Sequence, residues 1–371
     1  MTKIFVTFTL FFFSIIPLLA SNPWLKRPLR FVSADSVLVW GYDGRDCRSA
    51  ALGCNKEATL YPFLLTQKEW KQRKQIYKQW QSEQSGMNVV GGTETDVANN
   101  DIYAVATKLT AAAQLFRMQG DAMYTDYAER AYYNVVMHVV NDSLFPKGSI
   151  ERQLAANLLY TMPQWIYALS TDNDVYVNLY TNSTANISNE RIRFSLDQIT
   201  DMPLNGSVKL RFNKFDSPTQ IRLHLRMPDW LRLRENTQFS YVSPDTLHPS
   251  LFVNGHEISP LIVDERGYVV IEREWSSLDE VYLDLPLQVQ RVTANVGKPF
   301  TDYMVWQMGP LVYPTDAKGL YTHPQWGVTF GEAFSHSGFP TINVKLAKTS
   351  EKKTKEGATI QHTLSAYADA F

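Results

Sequence analysis

The chain has 371 residues, 44% of them apolar, which is enough to bury the cores of two domains and excludes a disordered polymer. Its 36 Lys and Arg nearly cancel 37 Asp and Glu, which excludes an overall basic field for nucleic acid and an acidic tail. A neutral or locally recognised partner fits this balance.

Lys3 precedes an almost wholly apolar run from Ile4 to Leu19, and Leu18-Leu19-Ala20-Ser21 offers small residues to a signal peptidase. The run is shorter than the roughly 20 residues that span a bilayer. Residues 1–20 therefore read as a cleaved signal peptide, giving a secreted or periplasmic protein with no membrane attachment afterwards. Residues 21–59 read as an irregular segment, and Arg30 to Asn55 carries no motif we can assign. The two cysteines, Cys47 and Cys54, lie in it. In an oxidising compartment they can close a small disulfide loop, with free thiols as the alternative, and no neighbouring His or Cys completes a metal site.

From residue 60 to 171 the apolar spacing is helical. It predicts helices over Leu64–Gln81, Asp101–Gln119, Tyr124–Val140 and Ile150–Leu169, with Gly120-Asp121 breaking the second from the third. At Asp174 the period drops to two, as Val175, Val177 and Leu179 alternate with Tyr176, Asn178 and Tyr180. The alternation recurs in Arg191–Leu196, Val208–Phe212, Gln220–Leu225, Tyr268–Glu272 and Val281–Leu285, separated by Asn205-Gly206, Asn254-Gly255 and Arg266-Gly267. Residues 172–371 thus read as an antiparallel β-sandwich, with the boundary at Thr171-Asp172-Asn173. In the tail, Lys345–Lys355 reads as a solvated hairpin or loop and Ala358–Ala366 as one more strand.

Several segments, in order, carry a family likeness. They are Gly120-Asp121-Ala122-Met123-Tyr124, Glu129-Arg130-Ala131-Tyr132-Tyr133-Asn134, Met162-Pro163-Gln164-Trp165-Ile166-Tyr167 and Val175-Tyr176-Val177-Asn178-Leu179-Tyr180. Arg226-Met227-Pro228-Asp229-Trp230, Val253-Asn254-Gly255, Gly267-Tyr268-Val269-Val270-Ile271 with Trp275, and Gly309-Pro310-Leu311-Val312-Tyr313 follow. In these the chain resembles the β-L-arabinofuranosidase group, glycoside hydrolase family 127. The resemblance implies an α+β multidomain fold: an (α/α)₆-type helical barrel followed by an antiparallel β-sandwich. With about 150 residues before the sandwich the barrel is expected to be partial, since twelve helices of about 11 residues do not fit. A part-barrel leaves apolar residues such as Ile76, Tyr77 and Trp80 without cover, so self-association or a partner is expected.

The resemblance also implies a thiolate nucleophile, a zinc ion held by three cysteines and a glutamate, and an acid/base carboxylate. The matching positions carry no thiol. One alignment puts Asp101-Ile102-Tyr103 and another Val105-Ala106-Thr107 where the group has Glu-Thr-Cys, and Ile150-Glu151 falls where it has a Cys pair. No zinc or other cofactor is therefore expected. Glu129 matches a glutamate that faces the sugar in the group, with an exposed carboxylate paired to Arg130 or Lys147 as the alternative. Asp101 and Glu151 are a possible replacement carboxylate pair, because glycoside hydrolysis needs two carboxyls. His138 lies on an apolar helix stripe and reads as core or catalytic, while Trp165, Trp230 and Trp275 read as core or as sugar-stacking rings. The expected partner is an arabinose-containing plant glycan, met by an impaired hydrolase or by a non-catalytic binding or scaffold module; a fragment without independent activity is the third reading.

Overall fold

The computed structural model describes residues 23–33, 36–39, 65–84, 101–141, 145–231, 239–242, 246–294, 304–313, 320–321, 329–334, 340–348 and 359–364. The expected signal peptide and both cysteines lie outside these residues.

Gln67–Gln84 (α1) opens on a capping box: Thr66 Oγ1 accepts from the Glu69 amide at 3.3 Å while Glu69 Oε2 accepts from the Thr66 amide at 2.7 Å. Ile102–Gln119 (α2) is capped by Asp101, whose Oδ1 accepts from the Tyr103 amide at 2.8 Å. It ends at Gly120, which takes φ +68, a left-handed conformation that suits glycine. The third helix forms one continuous rod in three parts: Met123–Arg130 (α3), a π-helical stretch Ala131–Val136, and Met137–Asn141 (α4). Ile150–Thr161 (α5) is capped by Ser149 and runs through a 3-10 turn, Met162–Trp165, into a strand. The predicted helix Ile150–Leu169 is therefore too long by its last turn. No described helix is long and apolar enough to cross a membrane.

That strand, Tyr167–Leu169 (β3), belongs to a five-stranded sheet with Arg30–Phe31 (β1), Asp174–Val177 (β4), Thr219–Arg226 (β8) and Tyr268–Trp275 (β12), in the order β1-β3-β4-β8-β12. Val37–Val39 (β2) edges a seven-stranded antiparallel sheet, β11-β10-β13-β7-β6-β5-β2. Its other members are Ser183–Ser188 (β5), Arg193–Thr200 (β6), Ser207–Asn213 (β7), Ser250–Val253 (β10), His256–Glu257 (β11) and Glu280–Asp284 (β13). The segment 21–59 is thus not wholly irregular, since it supplies one strand to each sheet, and the first sheet begins ahead of the expected boundary at residue 171.

Phe212 of β7 stacks on Trp275 of β12 at 4.5 Å, joining the two sheets face to face. The other face of the five-stranded sheet meets the helices, where Tyr176 and Phe31 both contact Phe116 of α2. This explains why β4 is buried at all four residues although its sequence alternates. The turn between the sandwich strands is equally constrained: a Cβ at Gly206 would lie 1.7 Å from the Leu285 carbonyl oxygen. Trp80 is covered by Tyr124 and Tyr127 at 5.4 and 5.3 Å, and Ile76 and Tyr77 are half-buried, so the exposure expected of these residues is not found.

A third sheet, β16-β15-β14-β9, contains Phe239–Val242 (β9), Val289–Ala294 (β14), Met304–Met308 (β15) and Leu311–Tyr313 (β16). In the tail, Leu320–Tyr321 (β17), Thr329–Phe334 (β18), Pro340–Lys348 (β19) and Thr359–Leu364 (β20) form a fourth. The strand expected within Ala358–Ala366 is present and pairs antiparallel with β19, whose end, Lys345–Lys348, opens the segment expected as a hairpin or loop.

Candidate functional site

The motif segments named above converge on one buried polar junction where the helices, the sandwich and the third sheet meet. Arg226, the last residue of β8, is fully buried. Its Nη1 donates to Asp126 Oδ1 at 2.6 Å and its Nη2 to Glu129 Oε1, both on α3, while its Nε donates to the Asn178 carbonyl. Trp230 Nε1 donates to the other oxygen of Glu129 at 3.2 Å, and Tyr268 donates to Asn178 Oδ1 at 2.8 Å. Burial alone pulls the guanidinium pKa down, but the charges of Glu129 and Asp126 outweigh it and hold Arg226 well above its ordinary value. Burial likewise pushes the Tyr180 hydroxyl up; that hydroxyl donates to the Arg226 carbonyl at 2.7 Å.

The next residue of α3 ties in the third sheet. Arg130 donates to Asp229 at 2.8 Å and to Gln307 Oε1 at 2.9 Å, and Gln307 donates onward to the Gly309 carbonyl. One π-helical turn later, Asn134 donates to the carbonyls of Arg130 and Pro310 and accepts from the Val312 amide at 3.0 Å. The charged groups of this lattice are paired with opposite charges or hydrogen-bond partners, as buried ions require. It can fix three layers in register, but the three carboxylates it gathers, Asp126, Glu129 and Asp229, are engaged by the guanidinium groups of Arg226 and Arg130.

This placement corrects the reading of Glu129. Its residue is 3% exposed and its oxygens face Arg226 and Trp230, so neither a sugar-facing role nor the surface pairing with Arg130 or Lys147 fits. Asp101 spends a carboxylate oxygen as the cap of α2, and Glu151 sits half-buried in the first turn of α5; the described contacts do not join them. The carboxylates the fold does bring to the junction are Asp126 and Glu129 on Arg226 and Asp229 on Arg130. Trp165 is fully buried against Phe31 and Phe116, at 5.4 and 6.4 Å, and is not available to stack on a ligand ring. Trp275 donates to the Ile221 carbonyl and is core. His138 is half-buried with its ring edge-to-face on Phe145.

The zinc implied by the resemblance does not fit the residues at its expected positions. At the glutamate position stand Asp101, which caps a helix, or the buried Val105, at the cysteine positions Tyr103 or Thr107 and Ile150-Glu151, and among the described residues no group of three His, Cys, Asp or Glu gathers to hold an ion.

A second polar cluster, not foreseen, lies on the five-stranded sheet beside the helical layer. Asp174 accepts from Ser170 at 2.6 Å and pairs with Arg222, and His224 Nε2 lies 3.2 Å from its Oδ1. The His224 ring stacks on Tyr176 at 4.2 Å. Burial raises the Asp174 carboxyl, but His224, Ser170 and Arg222 outweigh it and hold it below its ordinary value. A carboxylate with a lowered folded pKa adds stability above its unfolded value near 4, and that increment is lost as pH falls through the folded value. Asp174→Asn is expected to cost about 1–3 kcal/mol at pH 7. The difference from the parent should shrink below about pH 4, which denaturant unfolding at pH 7 and pH 3 would measure; an equal gap at both would refute the assignment.

Residues 174–287 match the family model described as the beta-L-arabinofuranosidase, GH127 middle domain. Among solved structures, a GH127 beta-arabinofuranosidase matches with TM-score 0.59 and 22% identity, over 76% of this chain and 51% of that one. A GH127 beta-L-arabinofuranosidase from Geobacillus stearothermophilus T6 matches with TM-score 0.59 and 20% identity, over 76% and 52%. A further glycoside hydrolase matches with TM-score 0.57 and 18% identity, over 73% and 50%. At these identities the likeness is one of fold, and the chain spans about half the length of these structures. Among curated proteins, no sequence matches. The matched stretch, similar to the middle domain of the β-L-arabinofuranosidase group, supplies Arg226, Asp229, Trp230 and Tyr268, the sandwich side of the buried junction.

Proposed function

We propose that this chain is an exported, glycan-binding relative of the β-L-arabinofuranosidase group that recognises arabinose-containing plant polysaccharides and does not cleave them by the thiol-and-zinc route. Its helices are part of an (α/α)₆-type barrel. The observation that carries this reading is a split between scaffold and chemistry: the junction of helices and sandwich is built from buried ion pairs and hydrogen bonds, while the positions expected to hold thiols hold Tyr103 or Thr107 and the pair Ile150-Glu151. Residues acting as one catalytic unit fail together, so loss of the nucleophile removes many orders of magnitude in rate. A replacement carboxylate mechanism finds no support in Glu129, whose oxygens are engaged by Arg226 and Trp230.

The test pairs cleavage with binding on the full chain. With a chromogenic β-L-arabinofuranoside and added zinc, turnover is expected to equal that of Glu129→Gln, while titration with arabinan is expected to saturate. Turnover well above the variant would overturn the non-catalytic reading. Absence of both turnover and binding would leave no glycan function to this chain.

A further inference from the structure

Outside the family motifs, Trp24, Trp70 and Tyr77 form a partly exposed aromatic group at α1. The Arg73 guanidinium of α1 lies between two indoles, 5.5 Å from the Trp24 ring centroid and 5.3 Å from that of Trp70, and donates to the Trp70 carbonyl at 2.8 Å. Tyr77, one turn further on, meets Trp24 edge-to-face at 5.9 Å. All four residues are half-buried, so the rings are pinned yet keep part of their surface in solvent. Arg73 has no carboxylate partner among the described residues, and its Nε is buried without an acceptor among them.

Alongside these rings α1 carries an exposed basic stripe. Lys68, Lys71, Lys74 and Lys78 recur every three or four residues, all exposed and without ion-pair partners among the described residues. Five basic residues against Glu69 and Glu83 give the helix 5 − 2 = +3, in a chain whose net charge is −1. Ordinary solvation needs lysines on such a face but does not need two tryptophans clamped around an arginine beside them.

We propose that this face of α1 binds a linear carboxylated polysaccharide, a polyuronate, with its sugar rings on Trp24 and Trp70 and its carboxylates on the lysine stripe. A polyuronate carries one carboxylate per sugar, close to the spacing of about 5 Å between successive helical turns. Duplex DNA presents a negative charge about every 1.7 Å, which four lysines over about 15 Å do not match. The surface is separate from the buried junction and from the reading of arabinan binding, so each can fail alone.

The experiment is affinity electrophoresis and calorimetric titration of the full chain with polygalacturonate, at several salt concentrations. Neutral arabinan, duplex DNA and phosphatidylserine vesicles serve as separate arms. Binding of polygalacturonate that weakens with salt is expected. The triple variant Lys71→Glu, Lys74→Glu, Lys78→Glu should weaken it about tenfold or more, and Trp70→Ala by about threefold to tenfold. The triple variant should keep its melting temperature and whatever arabinan affinity the parent has, because its substitutions lie on an exposed face. No binding of polygalacturonate, equal binding of DNA or vesicles, or indifference to the triple variant would overturn the proposal, whatever the arabinan arm shows.

Discussion

Arg226→Met is expected to lower unfolding stability by about 3–5 kcal/mol, because it leaves two carboxylates buried without their cation. Asp126 and Glu129 both meet this guanidinium, and they sit three residues apart on α3, so no side-chain rotation takes both to water. Glu129 keeps Trp230 Nε1 as a donor, but a single indole N–H does not balance a full charge in the interior. The loss should be largely reversed when Asp126→Asn and Glu129→Gln are added, since the penalty belongs to the unpaired charges rather than to the missing contact. Denaturant unfolding of the parent, single and triple variants checks this as a cycle. A single variant within about 0.5 kcal/mol of the parent, the range of an ordinary surface change, would mean that the junction does not hold the layers together.

The same junction shows which parts of the site can be read from sequence. Glu129 is conspicuous as a motif residue, but its partner lies 97 positions away on β8, and nothing local in either segment announces the pairing. A carboxylate on a helix looks exposed until the sheet that covers it is known. The fact that Arg226, Asp229, Trp230 and Tyr268 also stand in motif segments was the available signal, and it pointed to a shared contact as much as to a shared chemistry. Asp174 and His224 were less legible still, because they come together only through the parallel pairing of β4 with β8.

The fold was legible where local chemistry decides it. Asp101 and Gly120 bracket α2 by capping and by a left-handed turn, and the strands that alternate apolar and polar residues appear within a few positions of where the pattern puts them. It was not legible where tertiary cover decides it. Ile166-Tyr167-Ala168-Leu169 is apolar throughout, so period alone cannot separate a helix end from a buried strand. Pairing with β1 on one side and β4 on the other makes it a strand. The strands β1 and β2 are two and three residues long and gain their place from neighbours distant in sequence.

Trp165→Ala is expected to cost about 3–5 kcal/mol and to leave any glycan affinity unchanged. The indole is fully buried where the 3-10 turn after α5 enters the sheet, and it touches Phe31 of β1 and Phe116 of α2. Phe116 in turn meets Tyr176 of β4, so one ring joins the N-terminal strand, the helical layer and the sandwich. Truncation opens a cavity walled by three elements that are held apart by their own hydrogen bonds and cannot collapse into it. Trp165→Phe refills most of the volume and should recover more than half of the loss. Thermal unfolding together with arabinan titration separates this role from a ligand-stacking one. A variant that melts with the parent and binds more weakly would place Trp165 in a cleft, and one that melts early and binds equally per folded molecule would place it in the core that positions β1 against the helices.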